Sequence, residues 1–230
     1  MSTSVVLVPG APALVPELSG AAAAESAGAV AETVEMVRQG AHSATGVEVR
    51  GPDRAERTVG DVRSSLVRWG VDVPVGRQSA PAAGAEAEVP DAALLGWWFL
   101  DRAGVWVPRS FAGIGASGAS SRPEDGSLIV VVADGPASLT PAAPVPADER
   151  GVALNAQLAD WLEAGGPLPD PGLTEADEVG WWSRPVWLAL AALVGDRPAL
   201  RSISWAPFGV GYHSAWWDLE TASSSDGART

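Results

Sequence analysis

Apolar residues follow two patterns along the chain, and the first is the short continuous run. Val5–Val8 is one such run and is followed by Pro9 and Gly10, whereas Ser127–Asp134 is a longer run rich in Val. Runs that are apolar at successive positions are typical of central strands in parallel sheets, because both faces of such strands are covered. Gly46–Arg50 predicts a further strand.

The second pattern has a helical period. Within Ala21–Gln39, Val30, Val34 and Val37 fall on one face, and Gly40 then supplies a stop. Similar reasoning predicts helices over Asp91–Arg102 and Ala147–Ala164, and shorter helical pieces over Ser64–Trp69, Glu175–Gly180 and Pro185–Val194. The segments Leu200–Trp205 and Gly209–Trp217 predict a closing strand or hairpin.

Two segments have the composition of loops. Gly76–Pro90 is rich in Ala, Gly and Pro, and Ser110–Gly126 is rich in Gly and Ser. The second contains Gly113–Gly118, which matches the dinucleotide-binding string G-x-G-x-x-G. Pro123 interrupts the helix that should follow such a string, so we interpret the segment as a flexible loop.

Apolar strands that alternate with helices predict an α/β fold, here a three-layer α/β/α sandwich with a central, largely parallel or mixed β-sheet. We expect a single domain over residues 1–220 and a disordered tail over 221–230. In such sheets ligands bind beyond the carboxyl ends of the strands. That rule directs attention to Pro9–Gly10, Arg50–Asp53, Asp134–Ser138 and Phe208–His213.

Charge narrows the classes of partner. The formal net charge is −13, all fifteen basic residues are Arg, and Cys is absent. A negative chain opposes binding to nucleic acid or to an anionic membrane surface, because both require a positive field. The absence of Lys and Cys excludes Schiff-base and thiolate chemistry. The first residues carry no basic segment or long apolar run, so we expect a cytoplasmic protein.

Several motifs, in order along the chain, resemble one family. Val8-Pro-Gly-Ala-Pro-Ala-Leu-Val-Pro-Glu17 looks like the opening of class III extradiol ring-cleaving dioxygenase catalytic-subunit-like proteins. The resemblance continues through Gly70–Pro74, Val131–Gly135 and Ala206–Tyr212, and it covers most of the chain from Val5 to about Trp217. It implies an α/β scaffold with a cleft at the ends of the strands.

Active members of that family hold Fe(II) with two His and one Glu, and they use a further His for proton transfer. Such a set binds iron on one face and leaves positions open for oxygen and the diol. This chain departs from the pattern at three places. Gly10 stands at the first His, Arg50–Asp53 at the second, and Gly135–Ser138 where the acid–base His would follow.

The chain contains only His42 and His213, too few for two ligands and a separate catalytic His. Glu178 is the carboxylate nearest in the sequence to the position where the resemblance would place the Glu ligand of the iron. His42 follows a helix and is interpreted as a solvated surface residue. We therefore expect no metal site, no cofactor and no iron-dependent ring cleavage.

Five residues remain as candidates for binding a ligand: Gly10, Asp53, Asp134, Ser138 and His213. The expected cleft lies between the turn after Val8, the turn after Asp134 and the segment Phe208–His213, and it is apolar with few charges. It takes a small aromatic or otherwise planar molecule, with Asp134 or His213 giving the directional hydrogen bond. Three of these candidates also have evidence against a direct functional role. Asp134 could cap a turn, His213 could be a buried hydrogen-bonding residue, and Ser138 has neither a nucleophile elbow nor an assigned base.

Eleven Trp include three adjacent pairs, Trp97–Trp98, Trp181–Trp182 and Trp216–Trp217. Neighbouring residues point to different sides of a helix or strand, so one member of each pair should reach the surface, a pocket rim or a homo-oligomer interface. The leading hypothesis is a pseudoenzyme or small-ligand-binding module. The alternatives are a metal-independent enzyme that uses Asp53, Asp134 or His213 in the same cleft, and a structural or interaction protein.

Overall fold

The computed structural model describes residues 3–84, 88–119 and 124–219. Its strands are β1 (Thr3–Val8), β2 (Val47–Pro52), β3 (Thr58–Val59), β4 (Ser64–Ser65), β5 (Pro74–Val75), β6 (Arg109–Ile114), β7 (Leu128–Val132), β8 (Arg201–Trp205) and β9 (Tyr212–Leu219). Its α-helices are α1 (Pro16–Ser19), α2 (Ala27–Gly40), α3 (Asp91–Arg102), α4 (Glu149–Ala164), α5 (Leu173–Glu178) and α6 (Arg184–Val194). The tail predicted to be disordered lies outside the described residues.

Seven strands form one mixed sheet in the order β3-β6-β2-β7-β1-β9-β8. The central strands β6, β2, β7 and β1 are parallel, and Val6 of β1 lies opposite Val130 of β7. Strand β9 pairs with β1 in the antiparallel direction and forms a hairpin with β8. The α/β fold with a mixed sheet is therefore confirmed, as is the closing hairpin.

The side chains of β1 alternate between two hydrophobic clusters. Val6 and Val8 pack with residues of α2 and α3, whereas Val5 and Leu7 pack with residues of α4 and α6. Successive side chains of a strand point to opposite faces of its sheet. The apolar run at Val5–Val8 is thus used on both faces, which is consistent with helices on either side of the sheet.

The structure corrects three local predictions. Strand β6 lies within the predicted loop Ser110–Gly126, where it is held by parallel pairing with β2. Ser64–Trp69 forms no α-helix but a two-residue strand and a 3-10 turn. Trp97 and Trp98 are both buried, because almost every residue of α3 is enclosed.

The other two Trp pairs behave as predicted to different degrees. Trp181 is buried and Trp182 is 61% exposed, whereas Trp217 is buried and Trp216 only partly so. Asp148 caps the first turn of α4 by accepting a hydrogen bond from the amide of Arg150. Among the described residues, no helix is both long enough and apolar enough to cross a bilayer.

Candidate functional site

The four parallel strands deliver their following turns to one edge of the sheet, and this edge has two halves. We call the turns around Gly10, Asp134–Leu139 and Gly209–His213 the closed half. They follow β1 and β7 and lead into β9. We call the turns at Pro52–Arg57 and Ile114–Ala116 the open half. They follow β2 and β6 and face the α5–α6 segment.

Backbone hydrogen bonds join the turns of the closed half. The amide of Gly135 donates to the carbonyl of Gly211 at 2.7 Å, and the amide of Gly211 donates to Pro136 at 2.9 Å. A methyl group on Gly211 would lie 1.9 Å from Oδ1 of Asn155, and one on Gly135 would lie 3.0 Å from Nε2 of His213. A side chain at position 211 would therefore collide with Asn155, and one at position 135 would require its neighbours to shift slightly.

His213 is fully buried and both of its ring nitrogens are engaged. Nδ1 lies 2.8 Å from Oγ of Ser204, and Nε2 lies 3.0 Å from Oδ1 of Asn155. Because an amide oxygen only accepts, Nε2 carries the proton and Nδ1 accepts from the Ser204 hydroxyl. Burial lowers the pKa of His213 to about 4, so the ring is neutral at pH 7. This geometry favours the structural interpretation of His213.

Asp134 ties the turn after β7 to the turn after β1. Its Oδ1 accepts from the amide of Gly10 at 2.7 Å, and its carbonyl accepts from the indole of Trp187 at 2.9 Å. Burial raises the pKa of Asp134 to about 6, and the Gly10 hydrogen bond only partly offsets it. Burial, with the nearby Asp134 charge as a smaller cause, also raises the pKa of Tyr212.

Asp134 and His213 do not form an acid–base pair. No hydrogen bond joins them among the described residues, and each is committed to other partners. A Cβ atom at Gly10 would lie 3.1 Å from Val132 and 3.4 Å from Oδ2 of Asp134, so even a small side chain there would need its neighbours to shift.

Ser138 lies beneath the start of α4. It is fully buried, and its hydroxyl has no hydrogen-bond partner among the described residues. A methyl group on Gly151 would lie 2.1 Å from Oγ of Ser138, so the hydroxyl fills the space that the helix leaves. The geometry is that of a packing residue, with no neighbouring base.

The residues at this edge do not fit a facial Fe(II) site. Position 10 has no donor side chain, and both nitrogens of His213 are used. Glu178 is exposed and accepts from Nη1 of Arg150 at 2.7 Å. In the described ranges, no three His, Asp or Glu side chains lie together as a metal would require.

The open half contains a pocket with a volume of about 640 Å³. Asp53 and Ile114 come from the strand ends, and Ala176, Trp182 and Pro185 come from the facing α5–α6 segment. Pockets of this size at the carboxyl edge of a sheet are typical small-molecule sites. Of the five candidates, only Asp53 lines this pocket. The pocket therefore differs from the cleft predicted from the sequence, both in place, since it does not lie between the turns after Val8 and Asp134, and in polarity, since eight of its lining residues are charged.

Asp53 organises the pocket wall. Its Oδ2 accepts from the amide and Nε of Arg57 at 2.8 and 3.0 Å, and its Oδ1 accepts from Nη2 at 2.9 Å. Hydrogen bonds from the Arg57 side chain hold the pKa of Asp53 below its ordinary value, although burial opposes this. A carboxylate so engaged fixes the turn after β2 and is poorly suited to accept a proton.

Four Arg and four carboxylates line the pocket, so its wall is close to neutral in a chain that is strongly acidic. Arg57 pairs with Asp53, Arg68 with Asp91, and Arg184 with Asp170. Arg54 is exposed, and no ion pair in the described part of the chain involves it. Among the charged side chains of the wall, it is the cation most available to a ligand.

The aromatic wall adds a second type of contact. Trp182 is 61% exposed, while Trp181 is buried with an indole N–H that lacks an acceptor in the described residues. The sequence pointed to this Trp pair but gave no signal for Arg54. It also singled out Gly113–Gly118, which contains Ile114–Ala116, but the interpretation of that segment as a flexible loop is wrong for Gly113 and Ile114, which belong to β6.

No family model matches the sequence, and no curated protein is significantly similar to it. The resemblance to extradiol dioxygenases therefore stays a prediction from the sequence motifs.

Proposed function

We propose that this protein is a small-molecule-binding module whose ligand occupies the pocket of the open half. The observation that carries the proposal is the position of this pocket, at the ends of parallel strands β2 and β6. Its volume of about 640 Å³ suits a ligand of one or two rings. A degenerate extradiol-dioxygenase-like scaffold in the cytoplasm is part of the same proposal.

The walls favour a small aromatic or otherwise planar ligand. Trp182 offers an exposed ring surface on which a planar molecule can stack, and Ile114, Leu173 and Pro185 supply apolar contacts. Arg54 supplies the directional contact, since its guanidinium can donate to an acceptor on the ligand. In this proposal Arg54 takes the role that the sequence suggested for Asp134 or His213.

Ring cleavage with iron has no support from the residues present. Gly10 offers no ligand, and His213 cannot bind a metal without losing Ser204 or Asn155. We expect purified protein to bind no stoichiometric Fe(II) and to leave catechols intact. Elemental analysis that finds about one iron per chain would contradict this. The Gly10→His single variant should also remain inactive, because Arg50–Asp53 supplies no second His. Ring cleavage by that variant would show that the other ligand positions were misjudged.

Native mass spectrometry tests the binding function directly. Protein purified without a metal-affinity step should carry a small molecule, or should take one up from a library of planar compounds. Uptake should change Trp fluorescence in a saturable way. Library compounds that leave both signals unchanged would count against the proposal.

Matched variants place the ligand. Ala116→Trp fills the pocket and should abolish binding, whereas Ala156→Trp on the exposed face of α4 should not. Trp182→Ala should weaken binding about tenfold, the upper end of what stacking contributes. Trp106→Ala removes a Trp of similar exposure outside this pocket and should have no effect. If the two variants of either pair changed ligand affinity equally, the ligand could not be assigned to this pocket.

The two alternatives predict different outcomes. An acid–base enzyme would need Asp134 for turnover of a bound compound, although its partner His213 is already committed. A homo-oligomer or interaction protein would self-associate through Trp106 or Trp182, and sedimentation would then depend on protein concentration. Neither outcome is expected from a monomeric binding module.

A further inference from the structure

A second pocket lies on the other side of the sheet, between α2 and α3, and has a volume of about 400 Å³. Its floor consists of the buried side chains of Leu14, Ala23, Val30 and Trp98. Ala27 and Ala31 of α2 form one lip. The small side chains on this face of α2 leave the space open.

The charged residues of this pocket are both cationic. Arg38 and Arg102 are the only charged side chains that line it among the described residues, in a chain of net charge −13. The guanidinium of Arg102 lies 5.2 Å from the ring centre of Trp98. An apolar floor beneath two Arg is complementary to a molecule with an apolar body and a single anionic head.

Both Arg have acidic partners, but these pairs are exposed. Arg38 pairs with Glu35 and Arg102 with Glu17, and about half of each Arg side chain remains accessible. Exposed ion pairs contribute little free energy, so a ligand carboxylate can share or replace the Glu partner at small cost. The indole N–H of Trp98 is also buried without an acceptor among the described residues.

We propose that this pocket binds a free single-chain aliphatic carboxylate, with the chain over Trp98 and the carboxylate between Arg38 and Arg102. The site is independent of the open half, because none of its lining residues is shared with the first pocket. The apolar floor selects chain length, and the Arg pair selects the anionic head over a neutral one.

A chain-length series tests this proposal. Linear saturated carboxylates of six to fourteen carbons are titrated into the full chain below their micelle concentrations, followed by calorimetry. Affinity should rise about two- to fourfold per added CH₂, as burial of a methylene predicts, and should level off once the pocket is full. The alcohol of equal length should bind several-fold more weakly, and added salt should weaken only the carboxylate.

Variants locate the site. Ala27→Leu keeps a good helix former on α2 and fills the pocket, so it should reduce affinity at least tenfold, and Ala31→Leu provides a second filling variant. Ala156→Leu on α4 is the matched control and should bind like the parent. Arg38→Gln should reduce the preference for carboxylate over alcohol, because only Arg102 then remains, while leaving alcohol binding unchanged. Melting temperatures verify that each variant is folded.

Three results would overturn the proposal. One is affinity that does not depend on chain length or on either filling variant. Another is sedimentation with vesicles of anionic phospholipid that exceeds binding of the free carboxylate, which would make the site a membrane contact. The third is a dimer that Ala27→Leu dissociates, which would assign this surface to a second copy of the chain.

Discussion

The two halves of the sheet edge follow the same topological rule and have opposite outcomes. In the closed half, Gly135 and Gly211 have no side chains, so the turns approach closely enough to form backbone hydrogen bonds next to His213. In the open half, Asp53 and Arg57 fix the turn after β2 by hydrogen bonds. A pocket lies between this turn and Trp182. Strand direction therefore locates the edge, and the residues of the turns decide whether it is open.

The halves also treat their carboxylates differently. Asp134 in the closed half is partly buried and has one amide donor, and desolvation by burial raises its pKa to about 6. Asp53 in the open half has an Arg partner, which lowers its pKa. A carboxylate that is buried without a cation lowers the stability of the ionised protein, whereas a paired one contributes to it.

The largest expected effect is a pH dependence in the closed half. Because its folded pKa lies above the ordinary 3.8, Asp134 contributes most favourably below pH 3.8, and this contribution is lost as the pH rises through about 6. Asp134→Asn should therefore gain stability relative to the parent by roughly 2 kcal/mol between pH 4 and pH 7. Urea unfolding at both pH values measures it. A constant difference would show that the carboxylate is well solvated.

The contribution of His213 to stability changes with pH in the opposite direction to that of Asp134. In the parent protein it therefore partly offsets the Asp134 effect. Its folded pKa of about 4 lies below the ordinary 6.5, so its contribution is present above pH 6.5 and is lost as the pH falls through about 4. The two contributions oppose each other between pH 4 and pH 6. Asp134→Asn should therefore expose a steeper acid loss of stability than the parent shows.

The next effect tests the close packing of the closed half. Gly211→Ala places a methyl group against Oδ1 of Asn155 and should lower the free energy of unfolding by about 1–3 kcal/mol. Gly28→Ala is the control, because no atom lies within 4 Å of the added methyl group. The control should be neutral or stabilising by up to about 1 kcal/mol. Equal urea midpoints for Gly211→Ala and Gly28→Ala would mean that the closed half can accommodate an added methyl group.

Asp53→Asn tests the wall of the open half. Loss of the bidentate contact with Arg57 should lower the free energy of unfolding at pH 7 by about 1–3 kcal/mol. Asp53 has a lowered pKa, so its contribution is present above pH 3.8 and is lost as the pH falls through the lowered value. The stability deficit of Asp53→Asn relative to the parent should shrink on acidification. As the pH rises, the variant therefore loses stability relative to the parent, whereas Asp134→Asn gains it. A difference that grows in acid would reverse the assignment.

Trp182→Ala should have the smallest effect on stability, within about 0.5 kcal/mol, because the side chain is 61% exposed. Thermal unfolding with Trp217→Ala as the buried comparison checks this, since that residue is 1% exposed and should cost about 3–5 kcal/mol. A large loss in Trp182→Ala would indicate that its ring packs in a homo-oligomer interface.

The sequence predicted the central strands well, because Val5–Val8 and Leu128–Val132 are apolar on both faces. It missed β6, whose Arg109-Ser-Phe-Ala-Gly-Ile114 sequence has little β-branched content and depends on pairing with β2. Asp53 was placed correctly at the edge. The pocket wall could not be predicted, because Arg54, Ile114 and Trp182 meet only through the missed strand and the α5–α6 segment.

The Trp97–Trp98 prediction failed for a related reason. Adjacent residues on a helix do point to different sides, but α3 is covered by α2 on one side and by β2 and β7 on another. Whether both sides are enclosed depends on tertiary packing that a local pattern does not contain. The same limit applies to His213, whose burial and two partners come from β8, β9 and α4.

The central claim is that ligands bind in the open half and not around His213. The most direct measurement is the set of indole N–H resonances of the eleven Trp, recorded by NMR while planar compounds are added. We expect saturable shifts of the Trp181 and Trp182 resonances, because both residues line the pocket. The resonance of Trp187, whose ring centre lies 5.4 Å from that of His213, should change little. Shifts at Trp187 without shifts at Trp181 or Trp182 would contradict it.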